Sequence, residues 1–104
     1  MDRDFSTVYE EVIVYELSCV GIRCARQVEI PIQYDQIKLD VGFRVDIMVE
    51  DKVIIALKSI ESILPVHKKQ LLTYLKLTHL KLGLLINFNT EKLKDGIVRI
   101  VNNL

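Results

Sequence analysis

Two residues of opposite charge define the chemistry this chain could perform. Asp46 falls on the polar side of an alternating run from Val41 to Val49, and Lys58 ends the apolar run Val53 to Leu57. Only the polar turn Glu50-Asp51-Lys52 separates the runs, so they read as an antiparallel hairpin that can bring acid and lysine close. A carboxylate there could hold a hard divalent cation through oxygen. The lysine could position or help activate an attacking water and stabilise charge developing on phosphate. Gln70 and Tyr74 stand four apart on a helical pattern downstream and share a face. Taken together these side chains suggest a phosphodiester site. The remaining polar candidates have plainer readings. His67 and His79 read as helix-end histidines, Lys68-Lys69 as a solvated face, and Tyr9 and Tyr15 as packing residues with a polar tip.

The elements that must carry these residues follow from periodicity. Ser6 to Cys19 reads as a helix: Ser6 or Asp4 can cap it, Val8, Val12 and Tyr15 recur at helical spacing, and Gly21 ends it. Gly21 to Tyr34 reads as a strand, placed at a sheet edge near Pro31, which has no amide hydrogen to donate. A turn at Asp35-Gln36 leads to a short apolar piece, Ile37 to Leu39. In the next strand Phe43, Val45, Ile47 and Val49 are expected on one face, with Arg44, Asp46 and Met48 on the other. Pro65 suits a first helical position, and a helix follows to about His79 with Leu71, Leu72 and Leu75 as its apolar stripe. Lys81 to Asn87 is a buried strand, Asn87 to Thr90 a loop, and Ile97 to Val101 a last strand or a helix. The order is αβββαβ with a final β, an α/β fold with a central mixed sheet flanked by helices.

Composition sets the outer bounds. The chain has 104 residues, half of them hydrophobic, and a mean hydropathy of +0.25, so residues 1–104 are expected to form one domain with a real core. Fourteen Lys and Arg balance 14 Asp and Glu, which argues against a polybasic tail, an acidic disordered tail or a strongly charged membrane binder. The balance hides an asymmetry: residues 1–51 carry 5 basic and 11 acidic side chains, residues 52–104 carry 9 and 3. Interleaved surface charge is the expected outcome; a basic half gathered on one face would instead attract a phosphate backbone. No apolar run approaches the ~20 residues of a membrane span, and the start lacks the apolar stretch of a signal peptide. The chain therefore reads as cytoplasmic. Cys19 and Cys24 read as free thiols, and without further ligands at suitable spacing a zinc site is not expected.

The hairpin carries a family resemblance. Arg44-Val45-Asp46-Ile47-Met48-Val49 followed by Val53-Ile54-Ile55-Ala56-Leu57-Lys58 resembles the D…(D/E)-x-K core of PD-(D/E)XK nucleases. More closely, the chain resembles small bacterial proteins named for a GxxExxY motif. The matching runs are Thr7-Val8-Tyr9-Glu10, Pro65-Val66-His67, Gln70 to Leu75, and Leu82 to Phe88. The resemblance spans nearly the whole chain. It implies a restriction-endonuclease-like core and magnesium-dependent phosphodiester cleavage. Asp46 would be the metal carboxylate, the Leu57 carbonyl a backbone ligand and Lys58 the catalytic lysine. Gln70 and Tyr74 would face the site from the helix.

The sequence departs from that pattern. Ala56 stands where the family has its second acid, and aligning the motif on Tyr9 puts Arg3 and Ser6 at its Gly and Glu. The helical segment that normally precedes the motif is missing from this sequence. A cation held by one carboxylate and a carbonyl keeps most of its water and binds weakly. The expected function is thus nuclease-like, with low or absent activity and with nucleic acid as a partner. Two rivals stand beside it. One is an active magnesium-dependent nuclease with a substitute acid, Glu10 before Glu61. The other is a non-catalytic interaction module that forms a homodimer.

Overall fold

The computed structural model describes residues 5–34 and 37–103, with side chains at 7–31, 42–92 and 94–103. The proposed caps Asp4 and Ser6 and the turn Asp35-Gln36 lie outside these described positions. Helix α1 (Phe5–Cys19) precedes strands β1 (Cys24–Tyr34), β2 (Ile37–Val49) and β3 (Val53–Lys58). Helix α2 (Pro65–Thr78), β4 (Leu82–Asn87), a short 3-10 turn (Leu93–Gly96) and β5 (Ile97–Val101) complete the chain. The five strands lie side by side in sequence order. All neighbours are antiparallel except β3 and β4, and α2 supplies the crossover that a parallel pair requires. The expected order αβββαβ with a closing strand is therefore present. Ile37 to Leu39 is not a separate piece but the start of β2, and Ile97 to Val101 is a strand. Pro31 lies on the edge strand β1, opposite Gly42 and beside a register shift between Pro31 and Gln33, where its missing donor costs no ladder bond.

Local chemistry explains the helix ends. Gly21 takes φ +83, its N–H reaches the Ser18 carbonyl at 3.0 Å, and the Ile22 N–H reaches that of Leu17 at 3.0 Å. This pair of bonds closes α1 in a left-handed cap that glycine adopts without strain. At the start of α2, the Leu64 N–H donates to Nδ1 of His67 at 2.9 Å, and Pro65 fills the first turn. His67 is thus a helix-start residue, as its position suggested.

The sheet divides two apolar layers. Val45, Met48, Ile54, Leu71, Leu75 and Leu85 pack on the α2 side. Ile47, Ile55, Leu57, Ile86 and Phe88 pack on the α1 side, against Tyr9, Ile13 and Val14. A β-carbon at Gly83 would come within 3.0 Å of the Leu71 side chain, so that glycine lets α2 settle onto β4. On α1 the spaced residues Val8, Val12 and Tyr15 are not the packing face: they are 42%, 51% and 67% exposed. The buried face is rotated away, to Tyr9, Glu10 and Ile13, because the Glu10 carboxylate finds partners beneath the helix. Periodicity misled because α1 is apolar on both sides. Val12→Lys is accordingly expected to change stability by no more than about 0.5 kcal/mol, whereas Ile47→Ala should cost about 2–4 kcal/mol. Urea unfolding of the two variants measures the contrast.

The alternation expected along β2 also fails, and it fails at one residue. Phe43 and Val45 join Met48 on the α2 side, while Ile47 and Val49 lie on the α1 side. Strict alternation would hold Val45 and Ile47 together. The switch falls at Asp46. Across from it on β1, Val28 packs on the α2 side while Arg26 bonds to Glu10 of α1, so β1 switches at Gln27. Gln27 has φ +52, a left-handed conformation in mid-strand. The β1–β2 register runs from Arg26–Ile47 to Val28–Val45 with no Gln27–Asp46 pair between them.

Candidate functional site

The switch at Asp46 aims its carboxylate sideways to β3. The β2–β3 ladder pairs Val49 with Val53, Met48 with Ile54 and Ile47 with Ile55, and ends there. One step further along, Asp46 meets β3 through its side chain, with Oδ2 accepting the Leu57 N–H at 2.8 Å. In an extended strand a residue's N–H and carbonyl lie on the same edge, so the Leu57 carbonyl also looks toward β2. The other edge of β3 is used by β4: the Lys58 carbonyl accepts the Phe88 N–H at 3.0 Å.

A recess of about 270 Å³ gathers most of the residues singled out in the sequence. Asp46, Ala56, Leu57 and Lys58 form its strand side, and His67, Gln70 and Tyr74 its α2 side. Tyr74 is braced by a parallel stack on Phe43, with ring centroids 3.9 Å apart. Burial pushes the Asp46 carboxyl above its ordinary range, and the nearby charge of Glu10 adds to this. The Leu57 N–H, the Lys58 charge and the Gln27 amide pull the other way. The charged carboxylate is therefore held at some cost to the fold. The folded state binds the proton more tightly than the unfolded one, so stability falls as pH rises through the folded pKa. Asp46→Asn should raise the unfolding free energy measured in urea at pH 7, by less than about 1 kcal/mol at this partly exposed site. The gain should shrink toward pH 4 as the native carboxyl takes up its proton.

The substitute acids separate clearly. Glu61 faces a different recess, shared with Ser62 and Lys68. Glu10 is 4% exposed and close enough for its charge to act on Asp46. Its two oxygens are engaged, Oε1 by Arg26 Nε at 2.8 Å and Oε2 by Gln27 Nε2 at 2.7 Å. Among the described residues no group of three or more His, Cys, Asp or Glu could hold a metal. The donors beside Lys58, one carboxylate and one carbonyl, suit a hard cation that retains most of its water. Ala56 presents a methyl group to the same recess.

The two helices differ in charge, while ion pairs mix both signs on the sheet. α1 carries Glu10, Glu11 and Glu16 with no basic residue; α2, on the opposite face of the sheet, carries Lys68, Lys69 and Lys76 with no acid. The acidic half neutralises part of itself through Arg26–Glu10, Arg23–Glu50 and Arg44–Glu29. Cys19 and Cys24 are free, and burial raises the Cys24 thiol pKa. A larger, more open recess of about 550 Å³ near Arg23, Cys24 and Glu50 lies away from Asp46. There Glu50 is taken up by the Arg23 backbone N–H. Sequence reasoning missed Arg26 and Gln27, because nothing in a strand pattern marks a left-handed glutamine.

A five-stranded mixed sheet with two helices, ordered αβββαβ(β), is the architecture of a restriction-endonuclease-like core. The family model for the PD-(D/E)XK nuclease superfamily matches residues 5–100, and the chain belongs to that superfamily. The crystal structure of SSO0001 is similar in fold, with a TM-score of 0.72 and 21% identity over 96% of this chain. The match covers 50% of that chain, so the present sequence spans about half its length. No curated protein matches the sequence. Members of the superfamily generally use divalent metals. No described helix is long and apolar enough to cross a membrane.

Proposed function

We propose that the chain is a nuclease-like protein of the GxxExxY type that binds nucleic acid through an incomplete metal site and cleaves it feebly or not at all. The observation that carries this reading is the placement of Ala56 in one recess with Asp46 and Lys58. The methyl group lies on the wall where a second carboxylate would complete a cation site. Asp46 and the Leu57 carbonyl would hold magnesium loosely, and Lys58 would face the phosphate with Gln70 and Tyr74 lining the approach. The lysines of α2, the helix that walls the recess, supply attraction for a phosphate backbone. Fluorescence anisotropy with labelled DNA and RNA tests the binding half. Association that weakens steeply between about 50 and 200 mM salt is expected. Absence of binding to either nucleic acid at low salt would overturn the proposal.

The active-nuclease alternative, with Glu10 as second ligand, needs Glu10 to turn a free lone pair toward the recess while it stays tied to Arg26 and Gln27. What sets the two readings apart is whether the native chain cleaves with Mn²⁺ and loses that activity on Glu10→Gln. The interaction-module reading has one observation in its favour, the exposed stripe Val8, Val12 and Tyr15 on α1. A homodimer through that stripe would show a concentration-dependent mass that Tyr15→Lys abolishes.

A further inference from the structure

We infer that Gln27 is the positioning residue of this site: its side-chain amide, delivered by a left-handed backbone in mid-strand, steadies the Asp46 carboxylate toward β3 and ties Glu10 back against Arg26. This rests on the reading of Asp46 as the cation-facing carboxylate. Three observations meet at Gln27. A non-glycine residue at φ +52 inside a strand is costly and persists only where its surroundings over-determine it. The residue stands in the register gap opposite Asp46, where both strands exchange faces. Its Nε2 donates to Glu10 at 2.7 Å, which holds the amide on the α1 side of that gap.

The chemistry of the arrangement is specific. Glu10 is buried and Asp46 half-buried, so their negative charges repel in a poorly screened setting. An amide nitrogen with two hydrogens can serve both carboxylates without adding charge. Arg26 takes the other Glu10 oxygen, so Glu10 anchors Gln27 from the α1 side. The Leu57 N–H at 2.8 Å fixes the carboxylate from the β3 side, and Gln27 stands on its β1 side in the gap between the Arg26–Ile47 and Val28–Val45 pairs. Ordinary alternation would carry the glutamine amide away from this gap. The left-handed backbone brings it in.

The test uses Mn²⁺ alone, titrated by electron paramagnetic resonance into the full chain carrying Ala56→Glu, with and without a second change. Gln27→Gly removes the amide and suits the backbone. Gln27→Asn tolerates the same φ but is one methylene shorter. Both should weaken Mn²⁺ affinity by about 10–100-fold relative to Ala56→Glu alone, with the thermal midpoint kept within a few degrees. Affinity within twofold of that parent in either folded variant would overturn the inference. So would loss of folding in both, which would make Gln27 merely structural. If folded Ala56→Glu itself binds no Mn²⁺, the site reading fails and this inference falls with it, a result distinct from a parent that binds and a Gln27 variant that binds equally well.

Discussion

Ala56→Glu is expected to bind Mn²⁺ about tenfold more tightly than the native chain, or better. The native donors are one carboxylate and one carbonyl, and cation affinity at such sites rises with ligand charge and rigidity. Ala56 lines the recess beside Asp46, one step beyond the last β2–β3 pair, so a longer side chain there extends into about 270 Å³ of open space. The introduced carboxylate also meets the Lys58 charge, which offsets part of its repulsion with Asp46. Isothermal titration of both forms with Mn²⁺ reads the difference. Equal affinities would mean that the wall at Ala56 does not face the cation. The same measurement on Asp46→Asn in the Ala56→Glu background should return affinity to the native level.

The second large effect falls on stability. Asn87 is 3% exposed at the end of β4. Its Oδ1 accepts the N–H groups of Ile60 at 3.1 Å and Asn89 at 3.2 Å, and its Nδ2 donates to the Ile60 carbonyl at 2.9 Å. One side chain thereby pins the segment that leaves β3 after Lys58 and leads to α2. Asn87→Leu keeps the volume but leaves these backbone groups without that partner. The Ile60 carbonyl keeps the Asn89 amide at 3.2 Å, so the loss comes from the Ile60 and Asn89 N–H groups, and about 1–3 kcal/mol is expected. Chemical denaturation would measure it. A loss below about 1 kcal/mol would show that water replaces the amide at little cost.

Much of the architecture was legible because apolar spacing, Pro65 and the short polar turn each carry local information. The β2–β3 hairpin and the α2 crossover followed from residues within a few positions of one another. Asp46, Lys58, Gln70 and Tyr74 line one recess for the same reason: hairpin and helix each set the relative placement of their own members. What the pattern concealed depends on contacts across the chain. The outward turn of Val8, Val12 and Tyr15 is set by Glu10 reaching Arg26 and Gln27, sixteen and seventeen residues away. The face switch in β2 falls opposite Gln27 on its neighbour, and a glutamine at φ +52 leaves no mark on composition or periodicity. That the acidic α1 and the lysine-bearing α2 lie on opposite faces likewise needed the two helices to be placed on the sheet.

The most direct test of the central claim is a manganese-dependent cleavage assay on mixed DNA and RNA, run side by side on the native chain and on Ala56→Glu. Cleavage by the Ala56→Glu form alone, lost again on Lys58→Ala, is the expected result. Vigorous cleavage by the native chain, or none by a folded, Mn²⁺-binding Ala56→Glu form, would contradict it.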